Sequence, residues 1–281
     1  MPQTYTFLTV QNARDDAINE TIGSSSSALT ALQEASMIRQ VDLINRRFVT
    51  EGHLRHPSGG WSWMQETTLF QTKSNTTLNG AITTSTTTIT LTSGTDFDSS
   101  GRIWIEEKST NSIDFVDYTG KSTNNLTGAT KIDISHADDQ RVEKLYGVPS
   151  DYAKTIRMFV DSQEYHFDRS PHLLPPAGAY RTEGAFFLMP RSLGAKDVTL
   201  IYQKSPLDLS TGVTATDDAK SIDIPEEFYR YMVEKLKAYI WNVRRKEEKV
   251  GIAFQLAEQE LDRAFAFDVS ETGPSGIIPH F

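Results

Sequence analysis

Residues 223–269 read DIPEEFYRYMVEKLKAYIWNVRRKEEKVGIAFQLAEQELDRAFAFDV. Phe228, Met232, Leu236, Tyr239, Ile240 and Val243 recur at three- and four-residue steps, which puts them on one face of an α-helix. Pro225 suits a first helical position, where no amide hydrogen is needed. Glu226 and Glu227 stand where the helix dipole favours acids. A second stripe, Phe254, Ala257, Leu261, Ala264 and Phe265, follows beyond Gly251, which is expected to break or bend the helix. Stripes this long need a partner surface, in the same chain or in a neighbouring subunit. Phe228, Met232, Leu236, Phe254 and Leu261 are therefore candidates for contact between subunits.

The N-terminal region carries the same period. Residues 10–22 form a candidate short helix ending near Gly23, and the serines at 24–27 supply a loop and an N-cap. Leu32, Ala35, Ile38, Val41, Ile44 and Phe48 then define an apolar face that Gly52 is expected to close. Trp61 and Trp63 alternate into a strand-like run that would anchor this helix to a sheet. Past Pro149, the segments 155–160, 164–168, 184–190 and 197–203 read as strands, with LLPPAGAY (173–180) a stiff loop between them.

Between these parts the composition changes. Residues 74–146 are dense in Thr and Ser, and Ile89/Leu91, Ile103/Ile105 and Ile113/Phe115 alternate with polar residues at period two. Turn signals (TSGTDFDSSG, YTGKSTNN) recur between them. The expectation is an α+β protein: a helical body with a small sheet and an inserted all-β domain. The parts are an N-terminal helical part at 1–73, the insert at 74–146, the remaining core with the C-terminal helices at 147–268, and a flexible tail at 269–281.

The chain has 281 residues, a net charge of −9 and no cysteine. Disulfides, thiolate metal sites and a cysteine nucleophile are thereby excluded, and the acidic balance disfavours non-specific attraction to nucleic acid. The N-terminus shows no signal-peptide pattern, and no apolar run reaches the ~20 residues of a membrane helix. A protein made in the cytosol is expected, with the sequons at Asn19, Asn75 and Asn125 incidental. No phosphate-binding glycine loop, zinc-protease helix, nucleophile elbow or calcium loop is found. Glu51, beside Gly52 and His53, is the one acid worth testing for hydrolysis. His53 and His56 lack the supporting ligands of a metal pair. Arg244, Arg245 and Lys246 precede Glu247 and Glu248 and read as an exposed, salt-bridged helix turn. No catalytic residue, metal or cofactor is assigned.

The last stretch, SETGPSGIIPHF (270–281), ends in apolar residues. Burying Ile277, Ile278 and Phe281 would contribute about 1.5–3 kcal/mol each. Ordering a dozen residues costs about 1–2 kcal/mol per residue. The cost wins, so this tail orders only on a partner.

The Thr-rich segment resembles a small β module of tailed-bacteriophage structural proteins, through Gly101–Ile105, Tyr118–Gly120, Leu126–Gly128 and His136–Val142. It departs from the module's usual Arg-Gly continuation at Gly128-Ala129-Thr130-Lys131. The flanking body resembles the head-to-tail adaptor (connector) proteins of such phages. The likeness lies in its N-terminal helices before a Trp-containing strand, Tyr202 before a Pro-Leu-Asp-Leu loop, and Ile224-Pro225-Glu226-Glu227-Phe228 opening a long helix pair. The resemblance implies a non-enzymatic virion part at the neck, forming a dodecameric ring below the portal protein. Such a ring extends the DNA channel, lets DNA pass without specific binding, and offers a platform to tail, nozzle or tail-tube proteins. It also implies that Ile277, Ile278 and Phe281 are anchors on the portal. Two alternatives remain at this point: another tail or fibre-attachment protein sharing the β module, and a virion-borne peptidoglycan hydrolase using Glu51.

Overall fold

The computed structural model describes residues 5–22, 31–56, 60–108, 112–169, 174–191, 193–209 and 219–272. The chain divides into two compact units, residues 1–66 with 203–281, and residues 67–202. Both α-helices and β-sheets are present, so the α+β class holds.

The first unit opens with β1 (Phe7–Thr9) and α1 (Val10–Ile22), whose start and end fall where the sequence places them. Next comes α2 (Ala31–Arg55). Gly52 does not close it; the helix runs on for three residues. A Cβ at Gly52 would meet the indole of Trp61, so this glycine exists to let the ring lie directly on the helix backbone. Trp61 is fully buried and its Nε1 donates to the Phe48 carbonyl at 3.0 Å. Its ring stacks on Phe48 (4.9 Å) and Trp63 (4.8 Å) and lies 4.4 Å from Phe265. Trp61 and Trp63 flank the start of a 3₁₀ turn, Ser62–Met64, ahead of the strand rather than inside it.

The second unit takes up β2 (Gln65–Gln71), which enters it, then β3 (Thr76–Thr77), β4 (Thr88–Thr90), β5 (Gly101–Glu107) and β6 (Ser112–Tyr118). The strands β7 (Gly120–Ser122), β8 (Asn125–Thr127) and β9 (Arg141–Lys144) follow. Among the described residues these make one sheet in the order β3-β9-β5-β6 and another in the order β4-β8-β7. Ile89, Leu91, Ile103, Ile105, Val116 and Leu126 interlock as their shared core, the inward members of the period-two alternation. His136, buried, reaches Asp114 at 3.2 Å, and Asp114 also accepts from the Asp133 amide at 2.9 Å. This ties β6 to the segment that leads into β9.

Then come β10 (Tyr146–Gly147), β11 (Tyr152–Val160), β12 (Gln163–Phe167), β13 (Ala179–Glu183), β14 (Phe186–Leu188) and β15 (Asp197–Lys204). They form a sheet ordered β10-β14-β13-β12-β11-β15-β2. Its own core gathers Met158, Tyr180, Phe187, Leu200 and Tyr202. Trp104 and Leu145 pack with Leu188 in a smaller cluster. Residues 147–202 therefore group with 74–146, whereas the sequence places them with the helical body. Apolar cover passing between the two β cores is the physical reason.

The chain returns to the first unit through β16 (Ser221–Pro225), which pairs antiparallel with β1, Phe7 opposite Pro225. Pro225 thus ends a strand and precedes a 3₁₀ turn, Glu226–Phe228; it stands before the helix instead of opening it. The long C-terminal helices are α3 (Tyr229–Val243) and α4 (Glu247–Thr272). Gly251 lies inside α4. The break falls at Arg244–Lys246, where Arg245 takes a left-handed φ of 54°. The Arg245 amide donates to Asn242 O and the Lys246 amide to Trp241 O, the paired bonds that end a helix at a left-handed residue. α4 extends to Thr272, past the expected start of the tail at 269.

In an ordinary helix interior, Gly→Ala stabilises by up to about 1 kcal/mol. Gly52→Ala is expected to reverse that sign and destabilise by about 1–3 kcal/mol, because the added methyl must displace a fully packed indole. Urea midpoints followed by circular dichroism at 222 nm check it; an unchanged or raised midpoint would show that Trp61 does not sit on the helix.

Candidate interaction surface of the helical body

Of the residues expected at a subunit interface, Phe228, Met232, Leu236 and Leu261 are at most 1% exposed. They pack with Val41, Phe48, Ile224 and Ala257 in the first unit's own core. Their stripes are spent inside the chain, so none of them offers a surface. Phe254 differs: it is 45% exposed, on the flank of its helix.

Phe254 stands beside a groove of about 390 Å³ whose lining includes Leu43 and Arg47 of α2, Tyr231 and Lys235 of α3, and Val250 of α4. Leu43 is 52% exposed. Lys235 bonds Glu258 at 2.7 Å and lies over the rings of Tyr231 (5.4 Å) and Phe254 (4.8 Å), so its stem and charge form one wall. Tyr231 is fully buried, and its hydroxyl has no hydrogen-bond partner among the described residues. Burial pushes its pKa up, so the group is a neutral donor. Val243, Ile252 and Leu256 are further large apolar residues exposed on α3 and α4. None of Leu43, Arg47, Tyr231 or Lys235 was singled out by the sequence. Periodicity gives a helix its apolar face but not which flanking residues stay uncovered.

A second face of α3 is polar and closed. Glu234, fully buried, is held by Arg230 at 2.6 Å and Lys237 at 2.8 Å, and both cations also reach Glu20 of α1. Burial opposes ionisation of Glu20, yet the two cations win and hold its carboxyl below the usual range. Another polar seam joins α2 to β16. Asp223 accepts from Asn45 Nδ2 at 2.7 Å and from the Leu207 amide at 2.8 Å, while Asp42 accepts from the Leu209 amide at 2.9 Å.

The residues weighed for chemistry are placed apart. Glu51 lies on α2 with Arg55 at 3.7 Å and Arg47 at 4.0 Å. His56 reaches Asp268 at 3.0 Å, and Ser62 gives both its amide and its hydroxyl to the same carboxylate. Burial lowers the His56 imidazole and raises the Asp268 carboxyl, with their mutual attraction opposing both. The Ser62 hydroxyl proton is thus committed to Asp268, and the cluster clips the end of α4 to the turn after α2. Among the described residues no three His, Asp or Glu side chains gather as metal ligands, and no helix is long and apolar enough to cross a membrane. Arg244, Arg245 and Lys246 are exposed, at an interhelical turn and not within a helix. The anchors Ile277, Ile278 and Phe281 lie outside the described residues.

A self-supporting helical body with an open apolar groove is the make-up of a protein that assembles with others. Residues 10–275 match the SU10 adaptor protein family, and with nearly the whole chain covered, the protein belongs to that family. It is a phage structural adaptor, a component of the virion, from a family of structural proteins and not of enzymes. No curated protein matches the chain.

Burial raises the Asp223 carboxyl above its usual range, ahead of the opposing bonds from Asn45 and Leu207. The folded state therefore keeps this proton over a pH window in which the unfolded chain has released it, and stability falls as pH rises from about 4. Asp223→Asn removes that ionisation. Its urea midpoint is expected to gain on the wild type's between pH 4.5 and pH 7; a constant or shrinking gain would show no such uphill ionisation.

Proposed function

We propose that this adaptor is the head-to-tail connector, a ring below the portal protein that extends the DNA channel and provides the platform for tail, nozzle or tail-tube proteins. The observation that carries this reading is the uncovered apolar face of α2, α3 and α4, with Phe254 and Leu43 at its centre, on a chain of a phage adaptor family. A folded body of this kind leaves so many large apolar side chains out for a partner. Twelve subunits is the count the resemblance suggests. The net charge of −9 suits a channel that DNA crosses without being gripped. Ile277, Ile278 and Phe281 are the anchors on the portal, each weak alone and strong when a ring presents many copies. Residues 74–146 form a module that stands outward from the ring.

Mixing the purified chain with the portal protein of the same phage and imaging the complex tests this directly. A ring below the portal is expected, with the β module on its outer wall. Removing residues 273–281, beyond the last described turn of α4, is expected to abolish portal binding while barely moving the melting temperature of the free chain. Absence of a ring at every salt concentration contradicts the connector reading. Binding that survives the truncation, or a loss of several degrees in the free chain, contradicts the anchor.

A further inference from the structure

The turn between α3 and α4 gathers cations that no carboxylate answers. Arg244, Arg245, Lys246 and Lys249 are all exposed, and among the described residues none of the four forms an ion pair. Glu247 and Glu248 follow directly, also exposed, but the salt bridges expected with them are not made. Elsewhere in the helical body cations are largely spent: Arg46 meets Asp42, Arg55 meets Asp262, Lys235 meets Glu258, and Arg230 and Lys237 share Glu20. The turn is also firmly held. Beyond the two amide bonds that end α3, Lys246 O accepts from the Lys249 and Val250 amides at 3.0 and 3.2 Å. The half-buried ring of Trp241 supports Lys249, whose Nζ lies 5.7 Å from the ring centroid.

We propose that this turn is a contact for the phosphate backbone of double-stranded DNA. The inference rests on the connector reading and names where each subunit touches the DNA that passes. Three observations choose the partner. Adjacent cations on a fixed turn repel one another; the carbonyls that end α3 offset part of that cost, and an external polyanion relieves the rest. The chain has a net charge of −9, and no other six consecutive residues in it carry four cations. A polyanion therefore meets attraction at this turn and repulsion over most of the surface. Finally, Lys is depleted in protein–protein interfaces, whereas phosphate contacts are made by long exposed Arg and Lys chains without a pocket. A turn exposed at every position from Asn242 to Lys249 suits the phosphate backbone. Such a contact reads no base sequence. Glu247 and Glu248 in the same turn keep it weak, so the DNA is guided and still slides.

The chain has no cysteine, so a single placed thiol carries a photoreactive crosslinker to one position. Portal-templated rings of Lys246→Cys, labelled in this way, are irradiated with a short DNA duplex at low salt and run on a denaturing gel. A protein–DNA adduct is expected. The control, Leu54→Cys, labels another exposed position. Its neighbour Arg55 bonds Asp262, ~20 Å along α4 from Lys249, and no adduct is expected there. Rings whose Lys246→Cys label gives no adduct, or equal adducts from both positions, overturn the inference and leave the connector reading standing. Should no ring form, the connector reading falls and the free chain decides the role of the turn. Its affinity for the same duplex, by fluorescence anisotropy at low salt, is expected to fall at least about tenfold in Arg244→Gln/Arg245→Asn/Lys246→Gln. Asn accepts the left-handed φ of position 245, so the turn is kept. An unchanged affinity, or no binding to lose, overturns the inference.

Discussion

The helical body depends on the approach of one indole to one glycine. Trp61 lies on the backbone of α2 at Gly52, bonds the Phe48 carbonyl at 3.0 Å, and carries Phe48, Trp63 and Phe265 around it. Phe48 in turn meets Tyr231 of α3 at 4.9 Å, and Phe265 belongs to α4. One aromatic cluster therefore fixes α2 against both C-terminal helices. Because close-packed interiors leave little slack, the position of Tyr231, and with it the floor of the groove, follows from how closely Trp61 can lie.

Polar contacts then select the register. Glu234, fully buried with one carboxylate oxygen held by both Arg230 and Lys237, would be expensive without those cations, so α1 and α3 have few alternative alignments. Asp223 and Asp42 do the same for β16 and the segment before it. Asp268, clipped by Ser62 and His56, fixes the last turns of α4. The candidate surface lies beside these clips, where Leu43 and Phe254 stand in the open.

Much of this was legible in the sequence where the signal is local. The ends of α1, the stripes of α2, α3 and α4, and the alternation in β5 and β6 follow from period alone. Glycine misled twice. Gly52 reads as a helix stop because its contact with Trp61 is tertiary, and Gly251 reads as a break although the turn is made by Arg245 with φ of 54°. A clue existed there: cations ending one helix and Glu247 and Glu248 starting the next, as helix dipoles favour. The β1–β16 pair joins residues more than two hundred positions apart, beyond any local pattern. Likewise, a stripe announces that Phe228 and Leu261 are buried but not by what, so their own core and a neighbouring subunit look alike from the sequence.

The central claim is that the helical body is a self-contained unit organised on the Trp61 contact, with the β unit folding on a core of its own. Native-state hydrogen exchange on the whole chain tests it most directly. The slowest amides of the first unit should lie in α2 near Gly52 and in α3 near Tyr231, sharing one opening free energy. Amides of β5 and β6 should follow a different one. A single free energy common to both units, or early opening of α2 at Gly52, would contradict the account.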